Sequence, residues 1–225
     1  MNERTSRTDT GTDTAQITER LVCCAEDLDR TDQRLQLALF RLLAMGEPVE
    51  PARLVCELGV ERSDVIARLG RWHGVHTDDQ GRIVAFQGLS IVEAPHRLRV
   101  DGRTLYAWCA WDTLFLPELI GRPAEIESTC PVTGDAITLR VGPEGPADIS
   151  PPGAVLSFLL PGSRFGDDTI ASFCNLIHYF SSPEAAEEWT EERPGTFVIS
   201  IEQGFEIGRR TNAAQLAEAL HAAQG

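Results

Sequence analysis

The sequence predicts an α+β fold, with a helical N-terminal part and a strand-rich second part carrying interspersed helices. Three observations predict it. Apolar residues recur at helical spacing through residues 16–72. A turn signal and a short apolar run follow, which completes the helix, helix–turn–helix, hairpin order of a winged helix. From Leu89 onward, alternating apolar and polar residues broken by Gly-containing turns dominate.

The opening MNERTSRTDTGTDTAQ has no apolar core, so it is not a secretory signal. Its Thr, Asp, Ser and Gly content predicts a disordered leader over 1–15. Ile17, Leu21, Cys24, Ala25 and Leu28 form one stripe of a first helix. Thr31 is placed to cap a second helix with Arg34 to Met45 as its body and Gly46 as its stop. Pro48 to Leu58 reads as a short helix closed by Gly59, and Ser63 is placed to cap the next. GVHTDDQGRIVAF then reads as a hairpin. Residues 16–88 thus form the winged-helix-like domain, and 89–225 the second.

In that second part, Asp101-Gly102 is a turn pair. Thr104 is placed to cap a helix from Leu105 to about Leu116, ended or kinked at Pro117. AEIESTCPVTGDAITLRV reads as a hairpin and AVLSFLLP as a buried strand. TIASFCNLIHYFSS fits helix or strand. SPEAAEEWTEER is a helix with acids in its first turn, TFVISIEQGFEIG is strand-like, and TNAAQLAEALHAAQ is a terminal helix.

Charge narrows the function. The formal net charge is -14, and all 20 basic residues are arginine. An acidic surface argues against tight phosphate binding, which needs a basic footprint. Between Arg34 and Arg82, seven arginines meet seven acids, so that stretch is electrically neutral. That is a poor match for a polyanion, and no nucleic-acid partner is expected. A metal- or thiol-responsive DNA-binding regulator is nevertheless the alternative that the element order raises. No apolar run reaches the ~20 residues of a membrane helix, so a cytoplasmic location and no membrane contact are expected.

The six cysteines are therefore expected to be reduced. None forms a CxxC pair, which argues against a zinc ribbon or a thioredoxin-type site. Cys23, Cys24 and Cys56 read as small buried hydrophobes. Cys109 is different. It lies three residues before Asp112 in YAWCAWDTLF, so on a helix both face one way among Trp108, Trp111, Leu114 and Phe115. Burying a carboxylate costs several kcal/mol or raises its pKa. Cys174 sits in a second apolar stretch, SFCNLIHYF. If the fold joins them, two thiols and a carboxylate favour a soft metal that accepts two-coordinate sulfur, such as mercury, over zinc. His178, four residues after Cys174, is the histidine placed to help. A Cys–His–Asp hydrolase remains conceivable, though no oxyanion-hole loop accompanies Cys109.

TLYAWCAWDTLFLPELIGRPAEIESTCPVTG, followed by SFCNLIHYFSSPEAAEEW, resembles the organomercurial (alkylmercury) lyase family. The resemblance covers the chain from its first helices and is strongest over 105–134 and 172–189. It implies a helical, winged-helix-like N-terminal region on a core with mixed β-sheets. By position it implies Cys109 and Cys174 as the catalytic cysteines and mercury ligands, Asp112 as the catalytic aspartate touching the metal, and Cys130 as a structural cysteine. Asn175 departs from members that carry a second cysteine there.

The implied reaction is protonolysis of a carbon–mercury bond, giving hydrocarbon and Hg(II), in mercury detoxification. Thiolates load electron density onto mercury, and a neutral acid protonates the carbon. An apolar setting suits both the raised pKa of Asp112 and an alkyl or aryl group. Trp108, Trp111, Phe173 and His178 are the expected pocket lining. No resident cofactor is expected; mercury is substrate and product, and an external thiol is needed for turnover. Small thiols and a mercuric reductase are the implied Hg(II) acceptors. A homologue that binds mercury without turnover is the remaining alternative.

Overall fold

The computed structural model describes residues 13–166 and 168–222. Most of the leader expected over 1–15 lies outside them, but its end does not. Helix α1 (Thr14–Cys24) begins where the Asp13 side chain accepts the Ala15 amide at 3.1 Å, and it buries Ile17, Leu21 and Cys24. The second helix, α2 (Arg30–Leu43), is capped by Asp29 and not by Thr31. Asp29 accepts the Asp32 amide at 2.7 Å and Asp32 accepts the Asp29 amide at 3.2 Å, a reciprocal box that satisfies two amides at once. Helix α3 starts at Pro51 and not at Pro48 (Pro51–Leu58). Val49 is diverted into paired 2.8 Å hydrogen bonds with Ile83, and those hold the segment before Pro51 extended. The next helix, α4 (Arg62–Leu69), has Glu61 rather than Ser63 at its cap position. Cys24 is buried, whereas Cys23 and Cys56 are exposed, against the expectation for both.

The hairpin forms as read, from β1 (Val75–Thr77) and β2 (Ile83–Phe86). Its second strand continues through a two-residue turn into β3 (Leu89–Ser90), and β3 pairs with β5 (Arg103–Ala107). Beyond β5 come β4 (His96–Val100), β6 (Ala124–Thr129), β7 (Ala136–Gly142) and β8 (Gly145–Ser150), completing an eight-stranded sheet in the order β1-β2-β3-β5-β4-β6-β7-β8. A three-stranded sheet runs β10 (Tyr179–Phe180), β9 (Val155–Leu159), β11 (Thr196–Ser200). Every strand pairing among the described residues is antiparallel, so neither sheet is mixed. Successive strands join mainly through short turns, which permit antiparallel neighbours and leave no room for parallel crossovers.

The largest departure falls on YAWCAWDTLF. Leu105 to Ala107 belong to strand β5, because the Asp101-Gly102 turn folds this segment back onto β4, with Leu98 opposite Leu105. The helix, α5 (Asp112–Ile120), begins only at Asp112, runs through Pro117 and closes at Gly121 with φ +75°. Trp108 to Trp111 form the turn between strand and helix. Strand β8 was not anticipated; two prolines and two glycines in GPEGPADIS masked its alternation.

Farther along, TIASFCNLIHYF resolves into helix α6 (Thr169–Ser172), a 3₁₀ turn over Cys174–Leu176, and strand β10. Helix α7 (Pro183–Glu191) is capped by Ser182. TFVISIEQGFEIG divides at Ser200, whose hydroxyl accepts the Gln203 amide at 3.1 Å and opens α8 (Ile201–Gln215). Helix α8 therefore starts ten residues before Thr211, and a short α9 (Ala217–Ala222) follows it. Gly204 and Gly208 let α8 lie on α5: a Cβ at either would fall within 2.9 Å of Leu114 or 2.7 Å of Phe115.

Candidate active site

Three elements bring the site together. The β5–α5 turn carries Cys109, the first residue of α5 is Asp112, and the 3₁₀ turn carries Cys174. The two cysteine segments are tied by the Ala110 amide, which donates to the Ile177 carbonyl at 3.1 Å. Ser157 on β9 fixes the second segment from behind: its hydroxyl donates to the Leu176 carbonyl at 2.9 Å and accepts the His178 amide at 3.0 Å. The turn itself is braced by Thr113, whose hydroxyl donates to the Ala110 carbonyl and accepts from the Tyr179 phenol, both at 2.7 Å. Trp111 anchors the helix start by donating its indole N–H to the Gly204 carbonyl at 3.1 Å.

The result is a compact trio. The Cys109 and Cys174 sulfurs and an Asp112 carboxylate oxygen all lie within 4.8 Å of one another. All three residues are buried; Cys109 is wholly inaccessible, and Cys174 and Asp112 are each 5% exposed. The contact between Cys109 and Asp112 is not that of one helix turn to the next. The Cys109 amide donates to Asp112 Oδ2 at 2.9 Å, so the carboxylate at the start of α5 holds the turn that precedes its own helix.

Burial sets the protonation chemistry. It pushes the Asp112 carboxyl up to about 7, although hydrogen bonds from the Cys109 amide and thiol and from the Trp108 amide pull the other way. Burial also drives the Cys109 thiol well above its ordinary range, helped by its hydrogen bond with Cys174 and the nearby Asp112 charge. A proton displaced from Cys109 by a metal thus finds an acceptor of near-neutral pKa within hydrogen-bond reach.

The raised carboxyl pKa has a cost in stability. The folded protein holds this proton up to about pH 7, whereas the unfolded chain releases it near 3.8. Stability from this group is therefore fullest below 3.8 and falls as pH rises through 7. Asp112→Asn is expected to raise stability at pH 8 by on the order of 2–4 kcal/mol, with the gain vanishing toward pH 4. Calorimetric melting at the two pH values checks this; an equal shift at both would contradict it.

A cavity of about 370 Å³ opens over Asp112 and Cys174, between the helical half and the sheet, with the inaccessible Cys109 outside its lining. Leu21, Phe40 and Val75 line it from the N-terminal side, and Trp108, Phe115 and Phe173 from the other. Trp111 also lines it, in an aromatic cluster with Phe115, Phe158 and Phe173 at ring separations of 4.8–6.2 Å. His178 is not among the lining residues. It stacks edge-on against Trp189, and its Nε2–H donates to the Asn175 carbonyl at 2.9 Å. Cys130 stands apart from the trio at the β6–β7 turn, where its sulfur accepts the Thr133 amide at 3.5 Å. His76 was missed; it lies edge-on to Trp108 at 5.1 Å and lines the cavity. So was Gly88, which packs directly on Asp112. The signal for Gly88 was present as Gln-Gly between the apolar runs IVAF and LSIV.

The family model described as alkylmercury lyase matches residues 89–212. An alkylmercury lyase of Staphylococcus epidermidis is 41% identical over 175 residues, 78% of this chain and 80% of that protein. This chain belongs to the alkylmercury lyase family. A Bacillus cereus alkylmercury lyase is 43% identical over 171 residues, 76% of this chain and 77% of that one. The fold agrees too: a crystal structure titled as the mercury-bound form of MerB2 superposes with a TM-score of 0.73 at 27% identity, covering 93% of this chain and 99% of that one. The alkylmercury lyase match spans Cys109, Asp112 and Cys174.

Proposed function

We propose that this alkylmercury lyase breaks the carbon–mercury bond of alkyl- and arylmercury compounds by protonolysis, with Cys109 and Cys174 as mercury ligands and Asp112 as proton carrier. The observation that carries this reading is the buried trio, with its three ligand atoms within 4.8 Å. Thiols are soft ligands and suit mercury. One thiol takes R–Hg–X and releases HX. The second then binds, and its proton passes to Asp112. With two sulfurs donating to mercury, negative charge builds on carbon. Asp112 returns the proton to that carbon, R–H leaves, and Hg(II) stays on the two sulfurs. Overall, R–Hg–X and two thiols give R–H, a dithiolate of Hg(II), and HX.

The cavity supports the substrate class. Its aromatic and aliphatic walls favour a methyl or phenyl group, and burial brings the Asp112 carboxyl to about 7, where it can take up a proton and return it. Residues 16–88 serve in this reading as one wall of that cavity. Cys130 serves structure. Burial pushes its thiol up, but hydrogen bonds from the Thr133 hydroxyl and from the Thr133, Ser181 and Val132 amides pull it down to about 7. Cys130→Ala is expected to retain turnover and lower stability by about 1–2 kcal/mol, read from initial rates and melting temperature. Loss of mercury binding in that variant would instead make Cys130 a ligand.

External small thiols remove Hg(II) by ligand exchange, and a mercuric reductase is the further acceptor in a detoxifying, cytoplasmic setting. No nucleic acid takes part. Arg68 is held by Asp29, Asp32 and Asp64, and Arg71 by Asp32, which neutralises two of the three arginines of residues 61–72. No helix among the described residues is long and apolar enough to cross a membrane. The testing experiment is incubation with phenylmercuric acetate and excess thiol, following benzene by gas chromatography. Catalytic benzene release is expected; bound mercury without benzene would leave a binding protein only.

A further inference from the structure

Phe86 pairs with Leu89, so Gln87 and Gly88 form a two-residue turn between β2 and β3. Both have positive φ, +39° and +97°, the geometry that matches the twist of a tight hairpin. The turn is pinned on both sides. The Gln87 amide donates to the Gly74 carbonyl, in the helical half, and the Gly88 carbonyl accepts the Trp108 amide, next to Cys109, each at 3.1 Å. The tip then meets the carboxylate. A Cβ on Gly88 would lie 2.6 Å from Asp112 Cγ, 2.7 Å from Oδ1 and 2.9 Å from Oδ2. All three carboxylate atoms occupy the space that any other residue would fill.

From this packing we infer that Gly88 is a positioning residue for the lyase reaction: the bare backbone of the Gln87–Gly88 turn is the platform against which the Asp112 carboxylate is held toward Cys109 and the cavity. The inference rests on the reading of Asp112 as proton carrier. The platform closes one face of the carboxylate to water and to side chains. It leaves the other faces to the Cys109 amide and the substrate. It also gives the N-terminal half a part in the chemistry, because the turn hangs between the two halves of the chain.

The fold supplies its own control. Asp101 and Gly102 form the same kind of turn between β4 and β5, with φ of +48° and +76°, and a Cβ on Gly102 would meet nothing within 4 Å. Gly102→Ala therefore carries a comparable backbone strain without a displaced carboxylate. Gly88→Ala is expected to lower kcat for phenylmercuric acetate about 100-fold beyond Gly102→Ala, the order of loss for an ångström-scale misplacement. KM and stoichiometric Hg(II) binding should stay close to wild type, and the acid limb of the pH–rate profile should move from its wild-type position.

Should Gly88→Ala fold poorly, the double variant decides. In an Asp112→Ala background the added methyl has room, so the excess loss of melting temperature over Gly102→Ala should disappear. An excess that persists there would overturn the inference. So would a Gly88→Ala enzyme whose kcat and pH profile match Gly102→Ala while Asp112→Asn is inactive. If Asp112→Asn turns over normally, the proton-carrier reading itself has failed, and the platform inference with it.

Discussion

Asp112→Asn is expected to slow benzene release from phenylmercuric acetate about 10²–10⁴-fold, the usual range for removing a positioned acid–base group. Binding of the organomercurial should persist. Asparagine keeps the shape of the side chain, and its carbonyl oxygen can still accept the Cys109 amide that now reaches Oδ2 at 2.9 Å. What is lost is the acceptor for the displaced thiol proton and the donor to carbon. The same group sets the pH dependence of the wild-type enzyme. To accept a thiol proton Asp112 must be ionised, and its pKa is about 7, so kcat/KM is expected to fall as pH drops through 7. Asp112→Asn removes that limb from whatever activity remains. Initial rates across pH 5–9, by headspace chromatography, provide the check. Normal turnover by the asparagine variant would remove Asp112 from the reaction.

Cys109→Ser and Cys174→Ser are each expected to abolish turnover, on the order of 10³-fold or more, and to weaken retention of Hg(II) together with it. A hydroxyl is a hard, weakly donating ligand and does not replace a thiolate on mercury. The double variant should be little worse than either single one, because the two sulfurs act as a unit. This separates the cysteines from the aspartate: Asp112→Asn keeps the metal and loses the chemistry, whereas either serine loses both. Mercury content after gel filtration, measured beside benzene release, distinguishes the outcomes. A serine variant that retained tight two-sulfur binding would point to Cys130 or another thiol as the second ligand.

The trio was legible in the sequence, but not the way it is assembled. YAWCAWDTLF holds two of the residues that the fold brings together, but in another element than its spacing suggests. Helical spacing placed Cys109 and Asp112 on one face of a helix, whereas a strand ends before Cys109 and the helix begins at Asp112. The competing signal was Asp101-Gly102, whose turn commits Leu105 to a strand opposite Leu98. Local propensity could not weigh that pairing, because the partner strand lies before the turn and its value is tertiary. Asp112 and Cys109 stay together all the same, through an amide and not through helix geometry.

Cys174 stood out as a cysteine in an apolar stretch, but its pairing with Cys109 was legible only by resemblance. Its approach to Cys109 depends on the Ala110–Ile177 hydrogen bond and on Ser157, contacts between segments far apart in sequence. The Gly88 platform was hidden for a simpler reason. Gln87-Gly88 falls where the helical rhythm gives way to strands, and it reads as a seam between two parts. In the folded protein that seam is a turn within one continuous sheet, and its tip touches the acid. His178 shows the opposite case: its spacing from Cys174 drew attention, yet it faces Trp189 and the Asn175 carbonyl.

The most direct test of the mechanism is a single turnover with no added thiol. Enzyme in slight excess is mixed with phenylmercuric acetate, quenched over time, and assayed for benzene and for protein-bound mercury. The wild type should release one benzene per mercury and keep the Hg(II), while Asp112→Asn should hold phenylmercury intact with no benzene. Benzene released by Asp112→Asn at the wild-type rate would contradict the account.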